Sequence, residues 1–170
     1  MRTCPICHAP TCPPMGHSDL LIVGEFPSHN EISQGRPFAL SDNPKRYLSA
    51  GNVFRKELNL HGLDFNNFRI VNLWAHEPNK KEECFKLGYD AVLDEAKGKK
   101  AILLIGSEVV ETFTEYKVSD VSGLQVESAV LSCPIIYAVV NPSLSLHRSV
   151  GEVRLSITKF VKRLQKEKLV

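Results

Sequence analysis

The first 17 residues carry the side chains best suited to binding a metal ion. Three of the five cysteines lie there and a histidine follows, with two, four and four residues between successive members of the set Cys4, Cys7, Cys12 and His17. An odd number of cysteines, three of them crowded together, favours metal ligation over disulfide bonds in a chain with no export signal. Thiolates and an imidazole are the usual ligands of zinc, so these four residues form one candidate ligand set.

A second group of chemically capable residues follows three apolar runs. Gly24-Glu25-Phe26-Pro27-Ser28 follows the first run, Asn72-Leu73-Trp74-Ala75-His76 ends the second, and Asn141-Pro142-Ser143 follows the last. A side-chain amide offers both a donor and an acceptor, and a carboxylate can stabilise positive charge or orient a water molecule. These segments could therefore form one polar binding site, provided that the fold brings them together.

The elements that must position these segments are readable from the apolar pattern. Four continuous, β-branched-rich runs predict buried strands, at residues 20–23, 70–73, 101–105 and 135–140. Helical spacing predicts helices between and after them, at residues 52–60, at 80–96, shortly after Gly106, and from 150 towards the C-terminus. Alternating strands and helices predict right-handed crossovers and a parallel sheet, whose ligands bind beyond the carboxyl ends of the strands.

Composition sets the broad class of the protein. The chain has 170 residues, of which 43% are hydrophobic and 24% charged, and its formal net charge is +2. This length fits a single domain with a core that needs no disulfide bonds. The small positive charge does not by itself indicate a nucleic-acid partner. With no signal peptide and no apolar run long enough to span a membrane, we expect a cytoplasmic monomer without membrane contact.

Several motifs together resemble a known family. Gly24-Glu25-Phe26-Pro27, Glu31 and Gly35-Arg36-Pro37-Phe38 align without gaps with the first motif of the iron–sulfur (family 4) uracil-DNA glycosylases, Gly-Glu-x-Pro-Gly-x-x-Glu-Asp-x-x-Gly-x-Pro-Phe. Further segments resemble the family in the same order, namely Asn72, Glu82-Glu83-Cys84, Ile105-Gly106 and Asn141-Pro142-Ser143. The chain is thereby identified as a divergent member of the uracil-DNA glycosylase superfamily.

The resemblance implies a fold and a function. The expected fold is a single domain over residues 1–170, three-layered α/β/α around a central four-stranded, mostly parallel sheet, with a cysteine-rich metal-binding segment at 1–18. The expected function is DNA repair by base excision. The enzyme would flip uracil, or a related deaminated or modified base, out of DNA and hydrolyse its N-glycosidic bond.

The resemblance also assigns roles to individual residues. Those expected to take part in catalysis are Glu25, Glu31 and Asn141. Those expected to bind the base, by stacking or by reading its edge, are Phe26, Phe38 and Asn72. Those expected to contact DNA, by gripping phosphates or filling the gap left by the base, are Ser143, Leu144, Leu146, His147 and Arg148.

The family's metal ligands map onto a second candidate set. The positions that hold a four-iron, four-sulfur (4Fe-4S) cluster in family 4 correspond here to Cys4, Cys7, His76 and Cys84. Three thiolates and one imidazole suit such a cluster or a tetrahedral zinc ion. Cysteine spacing does not determine which metal is bound. It also leaves open whether the ligands are this set or the alternative set, in which Cys12 and His17 replace His76 and Cys84.

Departures from the family motif define an alternative function. Phe26 replaces a small residue, Ser28 a glycine, Ile32 the second acid and Asn141 a histidine. About seven extra residues also occupy the region 41–48. The alternative is therefore a catalytically altered relative that binds a base or DNA as a regulatory or DNA-modification factor.

Overall fold

The computed structural model describes residues 2–40, 49–142 and 150–170. Its centre is a sheet of five strands, β1 (Leu20–Gly24), β2 (Arg69–Asn72), β3 (Ala101–Ile105), β4 (Leu124–Gln125) and β5 (Ile136–Val139), in the order β2-β1-β3-β5-β4. The four longer strands are parallel and confirm the predicted runs.

The predicted count of four strands is wrong because β4 adds a fifth. It is two residues long and pairs antiparallel with β5 at one edge of the sheet. Its Leu124 side chain is 47% exposed, so the strand has no buried apolar run that a sequence pattern could reveal.

Six α-helices among the described residues pack around the sheet. They are α1 (His29–Gln34), α2 (Ala50–Leu60), α3 (Glu82–Ala96), α4 (Ser107–Phe113), α5 (Val118–Val121) and α6 (Val150–Lys166), with a 3-10 turn at Phe65–Asn67. The four predicted helices correspond to α2, α3, α4 and α6. Helices α1 and α5 were not predicted, since they are short and α1 buries no residue.

Side chains alternate between two hydrophobic cores, one on each face of the sheet. On one face Ile22 and Leu103 pack with α2 and α6, and on the other Leu21 and Leu104 pack with α3 and α4. Burial on both faces explains why the strands are continuously apolar rather than alternating. The arrangement confirms the predicted α/β class with helices on both sides of the sheet.

The N-terminal segment runs along strand β2, which forms the other edge of the sheet. Met15 and Ile70 exchange two backbone hydrogen bonds of 2.9 and 2.7 Å, and the N–H of Cys12 donates to the carbonyl of Ala75 at 2.8 Å. Gly16 turns the chain towards β1 with φ of 81°, in the left-handed region that favours glycine. The cysteines near the N-terminus are thereby held beside the carboxyl end of β2.

Helices α2 and α6 share a buried carboxylate. Glu57 accepts hydrogen bonds from Arg154 Nε and Thr158 Oγ1, both at 2.7 Å. Burial works to raise the pKa of Glu57, but Arg154, Thr158 and His61 outweigh it and hold the pKa below its usual value.

In the part of the chain that the structure describes, no helix has the length and apolar character needed to cross a membrane.

Candidate active site and metal centre

A pocket of about 340 Å³ lies beyond the carboxyl ends of the strands. Its walls come from the segments after β1, β2 and β5 and from the starts of α1 and α2. The residues predicted from the sequence to bind or transform a base that line it are Glu25, Phe26, Glu31, Phe38, Asn72 and Asn141. Its volume is near the lower end of the range for small-molecule sites.

Gly24 allows an amide and an aromatic ring to lie close together in this pocket. A Cβ atom at Gly24 would stand 2.5 Å from Oδ1 of Asn72 and 3.4 Å from Cζ of Phe38. Because glycine lacks that atom, the Asn72 side chain can lie across the end of β1 next to the ring. The pocket therefore presents a flat apolar face and a hydrogen-bonding amide at the same place.

The position of Phe38 is fixed from several sides. Its φ of 51° lies in the left-handed region, which is uncommon for a residue with a side chain. Its ring packs against Phe54 and Phe65, with centroids 5.6 and 5.9 Å away, and only 7% of the residue is exposed. The start of α2 presses on its backbone, where a Cβ at Gly51 would lie 2.6 Å from the Phe38 carbonyl oxygen. A ring held in this way is a preformed stacking surface.

The Glu31 carboxylate is hydrogen-bonded to the backbone of the pocket wall. One carboxylate oxygen accepts the N–H of Ser28 at 2.7 Å and the other accepts the N–H of Phe38 at 2.6 Å. With the Ser28 hydroxyl, which accepts the N–H of Glu31, it forms a capping box at the start of α1. Glu31 thus lines the pocket and also holds Phe38 in place.

Glu25 reaches from the end of β1 towards the start of α4. Its carboxylate lies over Gly106, where any Cβ atom would overlap it, and it accepts a hydrogen bond from the N–H of Ser107. Burial raises the pKa of Glu25 above its ordinary value, and the nearby Glu108 carboxylate raises it further, while the Ser107 N–H acts in the opposite direction. A carboxyl with a raised pKa at the wall of a pocket is a candidate for acid–base chemistry.

Phe26 stands at the rim and does not fill the pocket. It is 44% exposed while still contributing to the lining. The pocket keeps its volume of about 340 Å³ beside this ring.

The N-terminal segment, the loop after β2 and the start of α3 bring four metal-ligating side chains together. The ligand atoms of Cys4, Cys7, His76 and Cys84 all lie within 4.8 Å of one another. The Cys4 and Cys84 sulfurs are 3.9 Å apart, and the Cys7 sulfur is 3.4 Å from Nε2 of His76. This group could hold a metal ion.

Neighbouring groups orient the His76 ring and favour the ionised form of Cys4. Nδ1 of His76 lies 2.7 Å from the carbonyl oxygen of Glu77, to which it can donate its proton, leaving Nε2 as the ligand atom. Burial works to raise the pKa of Cys4, but N–H groups of Cys7 and Ile6, with the Cys7 and His76 side chains, outweigh it and lower the pKa to about 6. The amide of Asn79 lies 3.6 Å from the Cys84 sulfur.

The alternative ligand set is not assembled. Among the described residues, Cys12 and His17 do not join the group of ligand atoms. Cys12 is buried, and its sulfur lies 3.8 Å from the carbonyl oxygen of Pro13. Burial raises the pKa of this thiol to about 12, with the charge of Glu31 adding to the effect.

Comparison with protein families bears on the whole arrangement. The model of the uracil DNA glycosylase superfamily matches residues 10–165, which is nearly the entire chain. The chain belongs to this superfamily. No curated protein matches it significantly. Members of the superfamily act on DNA, which supports DNA as a partner of this chain. The finer assignment to family 4 stays a prediction.

Some residues of this superfamily member were not predicted from its sequence. Asn30 and Ser49 line the pocket, and Glu108 stands behind Glu25. The Ser28-x-x-Glu31 spacing is a readable capping-box pattern that would have located α1 and brought Asn30 to the pocket. No local pattern pointed to Glu108. The predicted DNA contacts, Ser143, Leu144, Leu146, His147 and Arg148, fall outside the described residues.

Proposed function

We propose that this protein is a DNA glycosylase that hydrolyses the N-glycosidic bond of uracil, or of a related deaminated or modified base, in a nucleotide flipped out of DNA. One observation carries the proposal. Glu25, Phe38, Asn72 and Asn141 line the same pocket at the carboxyl edge of the sheet, in a chain that belongs to the superfamily. Each supplies chemistry that base excision requires.

The base is held by a ring and an amide. Phe38 provides the face on which the extruded base stacks, and Asn72 pairs with the carbonyl and N–H on its edge. The close approach of these two groups at Gly24 supports this division of tasks. Phe26 at the rim contacts the base or its neighbours as they enter. Glu31 acts through the backbone, since it holds Phe38 in position.

The bond is broken with the help of Glu25. In its ionised form this carboxylate offsets the positive charge that develops on the sugar and orients the attacking water. As the water oxygen bonds to the sugar carbon C1′, the water gives a proton to the Glu25 carboxylate. The bond from C1′ to the base nitrogen breaks and the base leaves as an anion, which is later protonated from the solvent or from Glu25. Asn141, which also lines the pocket, helps to hold the base or the water.

A labelled oligonucleotide tests the proposal. A single-stranded DNA with one uracil, incubated with the protein and then treated with hot alkali, should be cut at the uracil, whereas the same strand with thymine should stay intact. Glu25→Gln, purified in parallel, should cut at least about a hundred times more slowly, because it retains hydrogen bonding but loses the charge. A panel with 5-substituted uracils, hypoxanthine and mismatches then defines the preferred base. Uncut but retained DNA would overturn hydrolysis and favour the base-binding alternative.

We propose further that Cys4, Cys7, His76 and Cys84 hold a single zinc ion rather than a 4Fe-4S cluster. Zinc–sulfur bonds of about 2.3 Å place two thiolates of a tetrahedral site about 3.8 Å apart. The separation of 3.9 Å between Cys4 and Cys84 supports one ion at that distance. A four-iron cluster binds each ligand through a different iron and would need them roughly 6 Å apart, farther than the 4.8 Å limit found here. None of the four lines the pocket that holds Glu25, which supports a structural role for the metal.

The metal content of the purified protein distinguishes a single zinc ion from a 4Fe-4S cluster. Protein purified without chelator should contain one zinc per chain and almost no iron, and it should be colourless. Expression in medium supplemented with iron and sulfide, followed by anaerobic purification, provides the matched condition for a cluster. Brown protein with broad visible absorbance and about four irons per chain would contradict the zinc proposal.

The state of the cysteines supports a reducing compartment. None of the five cysteines, all of which lie among the described residues, forms a disulfide bond, and Cys12 and Cys133 lie outside the metal-ligand group. Free thiols beside a thiolate metal site are typical of proteins kept in a cytoplasm, and we assign the chain there.

A further inference from the structure

Behind the Glu25 carboxyl lies a second acid that the pocket itself does not contain. Glu108 is in the first turn of α4, immediately after the Gly106–Ser107 pair over which Glu25 lies. It is not part of the pocket lining, yet it is close enough for its charge to act on Glu25. Its charge can therefore influence the pocket through Glu25.

One tryptophan connects both acids. The indole N–H of Trp74 donates to Oε1 of Glu108 at 2.9 Å, and the backbone N–H of Trp74 donates to the carbonyl oxygen of Glu25 at 2.8 Å. Trp74 is buried, and its ring packs against Phe85 with centroids 5.5 Å apart. Because the ring cannot turn freely, the Glu108 carboxylate is held in a fixed direction relative to Glu25.

We propose that Glu108, held by Trp74, is a positioning residue that sets the charge state of the Glu25 carboxyl. This inference rests on the proposed function, in which Glu25 acts in its ionised form. Two carboxylates held near each other resist being ionised together, so the fixed negative charge of Glu108 favours the protonated form of Glu25. The N–H of Ser107 opposes this effect and keeps Glu25 directed at the helix.

The surroundings of Glu25 contain few other charges. Among the described residues that line the pocket, Glu31 is the other titratable group, and both its oxygens are bound to backbone N–H groups. On the side of α4 the titratable group is Glu108, and on the side of β2 the neighbour is the uncharged Trp74. Glu108 is therefore the group whose removal should change the titration of Glu25 most.

The direction in which pH should change the rate of excision follows from the raised pKa of Glu25. The raised pKa of Glu25 means that its ionised form, and with it excision, is lost as the pH falls through that raised value. Glu108→Gln removes the neighbouring charge and keeps an oxygen that can accept from Trp74. The pKa of Glu25 should then fall, and the acid limb of the pH–rate profile should move to lower pH by about 0.5 to 1 unit.

Two readouts separate this inference from the proposed function. The titration of Glu25 is followed by carbon-13 NMR of its side-chain carboxyl, assigned by comparison with Glu25→Gln, and the pH–rate profile is measured with the uracil oligonucleotide. Glu111→Gln, which removes a charge from an exposed position of the same helix, is the matched control and should move neither. Trp74→Phe, which removes the indole N–H that holds Glu108, should shift the Glu25 titration in the same direction as Glu108→Gln.

The outcomes are distinct. An unchanged Glu25 titration in Glu108→Gln overturns the inference, whether or not the protein excises uracil. If Glu108→Gln does not fold, Trp74→Phe decides by the same criterion. A shifted titration in a protein without excision activity would uphold the coupling between the two acids and overturn the proposed function.

Discussion

An Asn72→Ala variant should excise uracil at least about a hundred times more slowly than the parent protein. The amide of Asn72 lies across Gly24 next to the Phe38 ring, where a stacked base would meet both groups. Alanine would leave the carbonyl and N–H of the base unpaired in a buried site, and unpaired polar groups strongly disfavour binding. The measurement is single-turnover cutting of the uracil oligonucleotide at saturating protein.

The residue that replaces Asn72 should determine which base is excised best as well as how fast excision is. Asn72→Asp replaces a donor and an acceptor with two acceptors, so uracil should lose most and a base with an amino group at that edge should lose least. Gly24→Ala leaves Asn72 in the sequence but places a Cβ 2.5 Å from its Oδ1, and should likewise slow excision. Asn59→Ala, an exposed asparagine on α2, is the control and should be unaffected. Full activity and unchanged base preference in both Asn72 variants would remove this residue from the site.

A Cys84→Ser variant should lose its zinc and at least about 3 kcal/mol of unfolding free energy. Cys84 is only 4% exposed, and its ligand atom lies with those of Cys4 and Cys7, so the proposed ion would join α3 to the N-terminal segment. Without the ion, the remaining thiols and the buried His76 would lose the positive charge that stabilises them. Urea denaturation with metal analysis of the same sample measures both effects.

The chain supplies a matched cysteine for comparison. Cys133 is partly buried, lies outside the group of ligand atoms, and has a pKa that burial raises above its ordinary value. Cys133→Ser should keep one zinc per chain and cost much less stability. If Cys84→Ser and Cys133→Ser had the same metal content and stability, the proposed zinc site would be wrong.

The strands could be predicted from the sequence because their burial follows from it. Residues such as Leu21 and Ile22 face different cores, so both must be apolar, and the run is continuous. Strand β4 and helix α1 could not be found in that way, since neither buries an apolar face. Glu57 shows another limit of the apolar pattern, because it is buried although it is charged. It is a charged residue on the buried side of α2, and its partners Arg154 and Thr158 lie about a hundred residues away.

The pocket residues could be predicted from motif positions because parallel strands end at the same edge of a sheet. Glu25, Asn72 and Asn141 each follow a strand, which explains why they meet. The role of Glu31 could not be predicted, because a carboxylate in a motif does not reveal that backbone N–H groups occupy both of its oxygens. The contact between Trp74 and Glu108 joins residues 34 apart, and no local spacing indicates it.

The metal ligands mark a further limit of sequence reasoning. Spacing within the first 17 residues suited Cys12 and His17 as well as the family positions did. The choice depends on where β2 and α3 begin and end, since the fold places His76 and Cys84 beside Cys4 and Cys7. Spacing alone does not carry that three-dimensional information.

The way the N-terminal segment lies along β2 has a consequence for how the protein behaves in concentrated solution. An edge strand with free N–H and carbonyl groups is a template for pairing with another chain, and β2 is shielded by the backbone exchange between Met15 and Ile70. At the opposite edge, β4 offers only two residues. The proposed metal, by securing the segment, would therefore also protect the β2 edge, and a chain that lost the ion would be prone to self-association before its core unfolds.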